Sequence, residues 1–303
     1  MKNNQIKSFK DLMNDTSKPP TPIIGSGVLL QNTMLFIVGP PKSRKTFLGY
    51  NFATAMARGK GFAGFEIHKK HKVLIVSGEG GYFPNRDRIK VIAKYTDDES
   101  LEMAHIVTEV NINVDDNSGF LKLEKIIEKV KPDVLIIDPL IRFHNQDENT
   151  STGMSLVMSK FRNYMEKYNL SMIVIHHTGK NASKGARGSN VISGEYDSGI
   201  YITKCNNNHT LRFDMRHVES PANRALMFNS ATLWFEDIND HTKDDPVLSY
   251  IRGNGPALKS EIVKYLVSNN ICSNSHAYRK VDKVESSGDI VVQDDGKTLE
   301  LKK

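Results

Sequence analysis

The stretch MLFIVGPPKSRKTFLGYNF, residues 34–52, decides the reading of this chain. Five apolar residues run into Gly39 as a buried strand would. After a loop of proline and basic residues, Phe47, Tyr50, Phe52, Ala55 and Met56 recur at helical spacing. Strand, loop and helix form the context in which G-x-x-x-x-G-K-[ST] works. Its backbone N–H groups cradle phosphates, its Lys reaches the terminal phosphates and its Ser/Thr serves Mg²⁺. Gly39, Lys45 and Thr46 fit that pattern, and Arg44 stands where the second glycine is expected. Pro40 and Pro41 stiffen the start of the loop and bring no N–H, and Lys42 and Ser43 complete it. If position 44 takes a positive φ, arginine there costs on the order of 1 kcal/mol, which a large fold can bear. The loop is expected to bind nucleotide. A second reading, in which Arg44 has abolished catalysis and left a structural subunit, stays open.

Outward from the loop, apolar runs alternate with amphipathic ones. KVLIVSGEGG (72–81) reads as a second strand ending in glycines, PNRDRIKVIAKY (84–95) as a helix and HIVTEV (105–110) as a weaker strand. SGFLKLEKIIEKVKPD (118–133) carries an apolar helical stripe closed by Pro132. DVLIIDP (133–139) is a strand stopped by proline. A helix is expected over 153–168, a strand over SMIVIHH (171–177), and further β segments at IYITK and TLRFDMR. This alternation predicts an α/β fold, a mostly parallel sheet covered by helices on both faces. Residues 1–33, broken by KPPTP, read as an N-terminal arm, and 34–242 as the core. Beyond HTKDDP (241–246), three short helical patterns and a hairpin turned at Asp-Gly predict a small winged-helix-like α+β domain over 246–303.

Composition narrows the setting. The chain has 303 residues, 39% hydrophobic and 25% charged, enough for one large domain with an appendage. Two cysteines outside any C-x-x-C spacing suggest neither a disulfide framework nor a zinc site, and a reducing, cytoplasmic setting is expected. No segment approaches the roughly 18–20 apolar residues of a membrane span. A net charge of +6 permits nucleic-acid partners.

Three further pieces carry chemistry. Asp138 ends an apolar strand and suits a carboxylate that organises Mg²⁺. Glu79 follows the strand VLIVS amid glycines and suits a general base on water. In a parallel sheet both reach the rim that carries the loop. His176 and His177 end a strand at the same rim, where adjacent residues face opposite ways and cannot easily chelate one metal. One of them is placed to contact phosphate. The loop TGKNASKGARGSN (178–190) holds Lys180, Lys184 and Arg187, no acidic residue and no aromatic, which suits contact with a sugar-phosphate backbone more than base readout.

With these pieces the chain resembles the RecA/DnaB class of ATPases, and within it the RepA-type replicative helicases, over roughly residues 20–235. The most specific part is DPLIRFHNQDENTSTGM (138–154), supported by IVIHHTGK (173–180), ARGSNV (186–191) and the GPPKS opening. The resemblance implies a hexameric ring on DNA, single-stranded DNA above all, and ATP with Mg²⁺ hydrolysed at subunit interfaces. Lys45 and Thr46 would bind phosphates and Mg²⁺, Asp138 would organise the metal, Glu79 would activate water, His177 would sense the γ-phosphate, and the 178–190 loop would line the channel. A neighbouring subunit would lend an arginine. FDMR puts Arg216 at the arginine position of the K-x-R pattern found in the wider class but Asp214 at its lysine position, so Arg187 and Arg212 remain rivals. The expected function is a DNA helicase or translocase acting in replication of a plasmid, phage or mobile element. The alternative is an ATP-gated regulator or loader that does not unwind. In 245–303, nine Lys/Arg face eight Asp/Glu, although His276, Arg279, Lys280 and Lys283 share one helical face.

Overall fold

Apolar runs bounded by glycine and proline become strands here because both faces of the sheet are covered. Every residue of β1 (Met34–Gly39), β2 (Val73–Ser77) and β4 (Val134–Asp138) is buried, and β5 (Ser171–His177) is buried up to its last residue. The computed structural model describes residues 6–94, 96, 98–108, 111–178, 194–205, 208–238, 246–269, 272–293 and 295–302. They fall in two units, Met1–Asp237 and Ile238–Lys303.

In the first unit β3 (Ala104–Val107), β6 (Ser198–Cys205), β7 (Asn208–Met215), β8 (Arg224–Asn229) and β9 (Trp234–Asp237) complete a nine-stranded sheet of order β3-β2-β4-β5-β1-β6-β7-β8-β9. The strands from β3 to β6 pair in parallel, and β6 to β9 are antiparallel. Six helices belong to the described residues: α1 (Phe9–Met13), α2 (Lys45–Arg58), α3 (Tyr82–Ala93), α4 (Asp98–Leu101), α5 (Asn117–Val130) and α6 (Ser151–Tyr168). Alternate strand residues serve two cores. Leu35, Ile37, Ile136 and Ile175 meet Leu48, Phe52 and Met56 of α2. Phe36, Val38, Ile137 and Val174 meet Leu123 and Ile127 of α5 and Val157 and Phe161 of α6. The stripe of α5 starts cleanly because the Asp116 carboxylate accepts from the Gly119 N–H at 2.7 Å.

The structure differs from the sequence reading in the N-terminal residues and in the later strands. The expected arm divides, with residues 6–21 exposed and Ile23, Ile24, Val28 and Leu29 buried in the core against α2. Backbone bonds between Ile24 and Leu29 close that turn, a local pattern too short to read as an element. Strands β8 and β9 were not anticipated. The boundary read at 241–246 falls largely in residues outside those described.

The second unit runs α7 (Pro246–Asn254), β10 (Ala257–Leu258), α8 (Lys259–Ser268), α9 (Asn274–Ser287), β11 (Ile290–Val292) and β12 (Thr298–Leu301). Its sheet order is β10-β12-β11, and its own core includes Val247, Ile251, Ile262, Leu266, Val281 and Leu299. Helix, strand, helix, helix, strand, strand is a winged-helix-like order, with β10 an addition to the elements read from sequence. On α9 the side chains of His276, Arg279 and Lys283 are exposed and Lys280 is half-buried.

Candidate functional site

Strand order assembles the site. Neighbouring strands β2, β4, β5 and β1 end on one rim and deliver Glu79, Asp138, His177 and the Gly39–Thr46 loop in that order. Ser77 is in register with Asp138, and His177 with Gly39. Together with residues from β8 and its following turn, they line a cleft of about 550 Å³ bounded by Lys42, Arg44, Lys45, Thr46, Glu79 and Asp138, among others.

The loop takes its shape from local backbone geometry. Gly39 has to be glycine, since a Cβ there would sit 2.5 Å from the Ile202 carbonyl oxygen. Lys42 and Arg44 adopt left-handed φ values of 63° and 67°. Arg44 is the residue before α2, and no side chain caps that helix. The first N–H groups of α2 are thus left for an anion, which the helix dipole also favours. The Lys45 ammonium donates to the Gly39 and Pro40 carbonyls at 2.9 Å each, folded across the loop it would serve. The Arg44 guanidinium lies 3.8 Å over the Phe228 ring, so the side chain that replaces glycine is seated on β8 and does not fill the loop.

Asp138 is buried, and its carboxylate accepts from the Thr46 hydroxyl at 3.3 Å. Burial pushes the Asp138 carboxyl up to about 6, helped by the negative charge of Glu79 and opposed by the Thr46 bond, Lys45 and Arg88. Burial likewise pushes the Lys45 ammonium down to about 8, opposed by Asp138 and Glu79. A cleft that penalises both its cation and its anion fits a ligand bringing counter-charges to each. A triphosphate would answer Lys45, and a divalent cation would answer Asp138 and Thr46, whose hard oxygens suit Mg²⁺ while leaving room for phosphate and water ligands. Among the described residues no cluster of three or more His, Cys, Asp and Glu could hold a metal alone.

Glu79 stands beside this centre on a fixed backbone. Its carbonyl accepts from the Ser77 hydroxyl at 3.0 Å and from the Asn85 amide at 3.0 Å. Asn85 is buried, donates also to the Gly81 carbonyl and accepts from the Tyr50 hydroxyl at 2.7 Å and from Arg88 at 3.1 Å. The paired histidines separate as strand alternation requires. His177 faces the cleft, whereas His176 is buried on the opposite face, its Nδ1 3.6 Å from the Glu148 carboxylate.

Arg216 is not brought to the cleft. Its N–H donates to the Asp197 carbonyl at 3.0 Å, and the Asp197 N–H donates to the carbonyl of Met34, the first residue of β1. Arg216 therefore sits at the far end of β1, about 16 Å along the strand from Gly39, and cannot serve the loop of its own chain. Arg212 lies over the Tyr201 ring at 4.1 Å. Lys180, Lys184 and Arg187 lie outside the described residues. The sequence reading missed Asn85, Arg88, Arg142, Phe228 and Leu233. Asn85 and Arg88 lie on a helix that the reading did find. Phe228 and Leu233 arrive through sheet pairings distant in sequence, and no local signal marks them.

The comparisons with known proteins agree with this geometry. The AAA domain family matches residues 4–183. Among solved structures the chain is similar to the ATPase domain of G40P, with a TM-score of 0.56 and 13% identity over 76% of this chain and 95% of that one. It is also similar to the RadB recombinase, with a TM-score of 0.51 and 15% identity over 69% and 91%. A DnaB-like replicative helicase gives a TM-score of 0.52 and 14% identity over 68% and 57%. No curated protein matches the chain in sequence. With a family match over more than half its length, the chain belongs to the AAA domain family, and its fold is like that of the RadB recombinase, the G40P ATPase domain and the DnaB-like helicase.

Proposed function

We propose that this chain hydrolyses ATP with Mg²⁺ and couples the hydrolysis to movement on DNA, as a helicase or translocase of RepA type serving replication of a plasmid, phage or mobile element. The observation that carries the reading is the convergence of Lys45, Thr46, Asp138, Glu79 and His177 on one cleft. Lys45 leaves the loop carbonyls to neutralise the β- and γ-phosphates. Thr46 and Asp138 would hold Mg²⁺, which would supply charge neutralisation for the phosphates. Glu79 takes the proton of the attacking water, and His177 contacts the γ-phosphate from the adjacent strand.

The position of Arg216 supports action in trans. Placed at the opposite end of the sheet from its own loop, it stabilises transition-state charge in a neighbouring copy. Assembly as a homo-oligomer is supported by α1, whose Phe9, Leu12 and Met13 are all exposed on a helix too short to persist unaided. A largely apolar groove of about 380 Å³ beside edge strand β3, lined by Ile75, Ile89, Ile92 and Ile106, suits such a segment from another copy. Lys180, Lys184 and Arg187 contact the single-stranded DNA backbone in the channel. Among the described residues no helix is long and apolar enough to cross a membrane.

The test is unwinding of forked DNA with ATP and Mg²⁺, wild type beside Glu79→Gln. Unwinding by wild type alone supports the helicase reading. ATP hydrolysis without unwinding or translocation favours the gated regulator or loader, and a protein that stays monomeric with nucleotide and single-stranded DNA contradicts the ring.

A further inference from the structure

The contact between Glu79 and Arg142 carries an inference beyond the residues already assigned. Asp138 is followed by a tight 3₁₀ turn, Leu140–Arg142, anchored by Leu140 and Phe143, both fully buried. The turn is closed by the Arg142 N–H donating to the Pro139 carbonyl at 3.1 Å and the Phe143 N–H donating to the Leu140 carbonyl at 2.9 Å. Arg142 thus rises from a rigid base next to the metal carboxylate. Its stem lies against Gly78, where an added Cβ would come within 2.5 Å of the Arg142 Cβ, and the Gly78 N–H donates to the Asp138 carbonyl at 2.8 Å. From there the Arg142 Nε reaches the Glu79 Oε1 at 3.2 Å.

The Glu79 backbone is fixed by Ser77 and Asn85, so the rotamer of its side chain is the freedom that remains, and Arg142 is the cation that selects it. The two side chains are 60% and 50% exposed, so the pair adds at most about 1 kcal/mol to folding. Holding a reactive carboxylate within a fraction of an ångström of its working position is worth far more to a rate than to stability.

We propose that Arg142 is a positioning residue for the Glu79 carboxylate, orienting it toward the water that attacks the γ-phosphate. The proposal rests on the reading of Glu79 as general base. Steady-state ATP hydrolysis, nucleotide binding and thermal melting of Arg142→Ala, Arg142→Lys and Glu79→Gln separate the two. Arg142→Ala is expected to lower kcat about tenfold with KM, nucleotide affinity and melting temperature unchanged, and Arg142→Lys to recover part of the loss. If Glu79→Gln abolishes hydrolysis while Arg142→Ala stays within about twofold of wild type or rises above it, the positioning role is overturned and the base remains. A fall in kcat accompanied by a raised KM and a lower melting temperature, or no recovery with lysine, also overturns it. If Glu79→Gln hydrolyses ATP normally, the base assignment itself fails.

Discussion

Arg44 allows a quantitative test of how the loop tolerates a side chain in place of glycine. Its left-handed backbone, φ 67° and ψ 26°, costs about 1 kcal/mol relative to glycine. The guanidinium stacked 3.8 Å over Phe228 returns about 0.5–1 kcal/mol. Glycine relieves the strain but forfeits the stack, and it adds about 0.5–1 kcal/mol of chain entropy to the unfolded state. Arg44→Gly should therefore lie within about 1 kcal/mol of wild type, a melting shift of no more than about 4 °C. Arg44→Ala keeps the strain and loses the stack, so it should lie about 0.5–1 kcal/mol below wild type and no more than about 0.5 kcal/mol below Arg44→Gly. The assay is denaturation of the nucleotide-free protein, run beside ATP binding by titration calorimetry. Removing one of the cleft's cations should weaken binding by less than about tenfold and leave hydrolysis in place, since glycine keeps the backbone donor. Arg44→Gly less stable than Arg44→Ala by about 0.5 kcal/mol or more would refute the strain argument. A gain of more than about tenfold in affinity on restoring glycine would show that Arg44 obstructs the site.

Two other perturbations follow from the same geometry. Burial pushes the Asp138 carboxyl up to about 6 from its ordinary value of 3.8. Between these values the unfolded chain ionises first, so stability falls as pH rises from about 4 to 6 and is flat above, a change on the order of 3 kcal/mol. Asp138→Asn should raise the melting temperature of the nucleotide-free protein at pH 7.5, lose that advantage below pH 4, and abolish Mg²⁺-dependent hydrolysis; no stabilisation at pH 7.5 would contradict the burial argument. Asn85→Ala removes the amide that bonds the Tyr50 hydroxyl and the Gly81 carbonyl and leaves the Glu79 carbonyl only the Ser77 hydroxyl, so it should cost about 1–3 kcal/mol in chemical denaturation. A cost below about 0.5 kcal/mol would show that water replaces the amide without loss.

Much of this site is legible in sequence because its parts are local. Gly39, Lys45 and Thr46 are read from one loop between an apolar strand and a helix, and Glu79, Asp138 and His177 each from the end of an apolar run. What sequence lacks is the order of the strands. It is the sheet order β2-β4-β5-β1 that turns four separate strand ends into one rim, and parallel pairings leave no local mark. The same holds for Phe228, which reaches Arg44 through β6, β7 and β8, three strands beyond the loop. Arg142 lies within DPLIRFHNQDENTSTGM, yet its contact with Glu79 depends on how a turn after β4 lies against Gly78 beside β2. Ile23, Ile24 and Leu29 were read as part of an arm because a core turn of seven residues has no period to detect.

Turnover of ATP in this cleft should depend on both Lys45 and Glu79. Release of phosphate from ATP, measured with Mg²⁺ with and without single-stranded DNA for wild type, Lys45→Ala and Glu79→Gln, tests it most directly. Turnover by wild type, loss of nucleotide binding in Lys45→Ala, and retained binding with abolished hydrolysis in Glu79→Gln are expected. Wild-type protein that binds ATP but releases no phosphate with Mg²⁺ and DNA present, or Glu79→Gln that hydrolyses at the wild-type rate, would contradict that expectation.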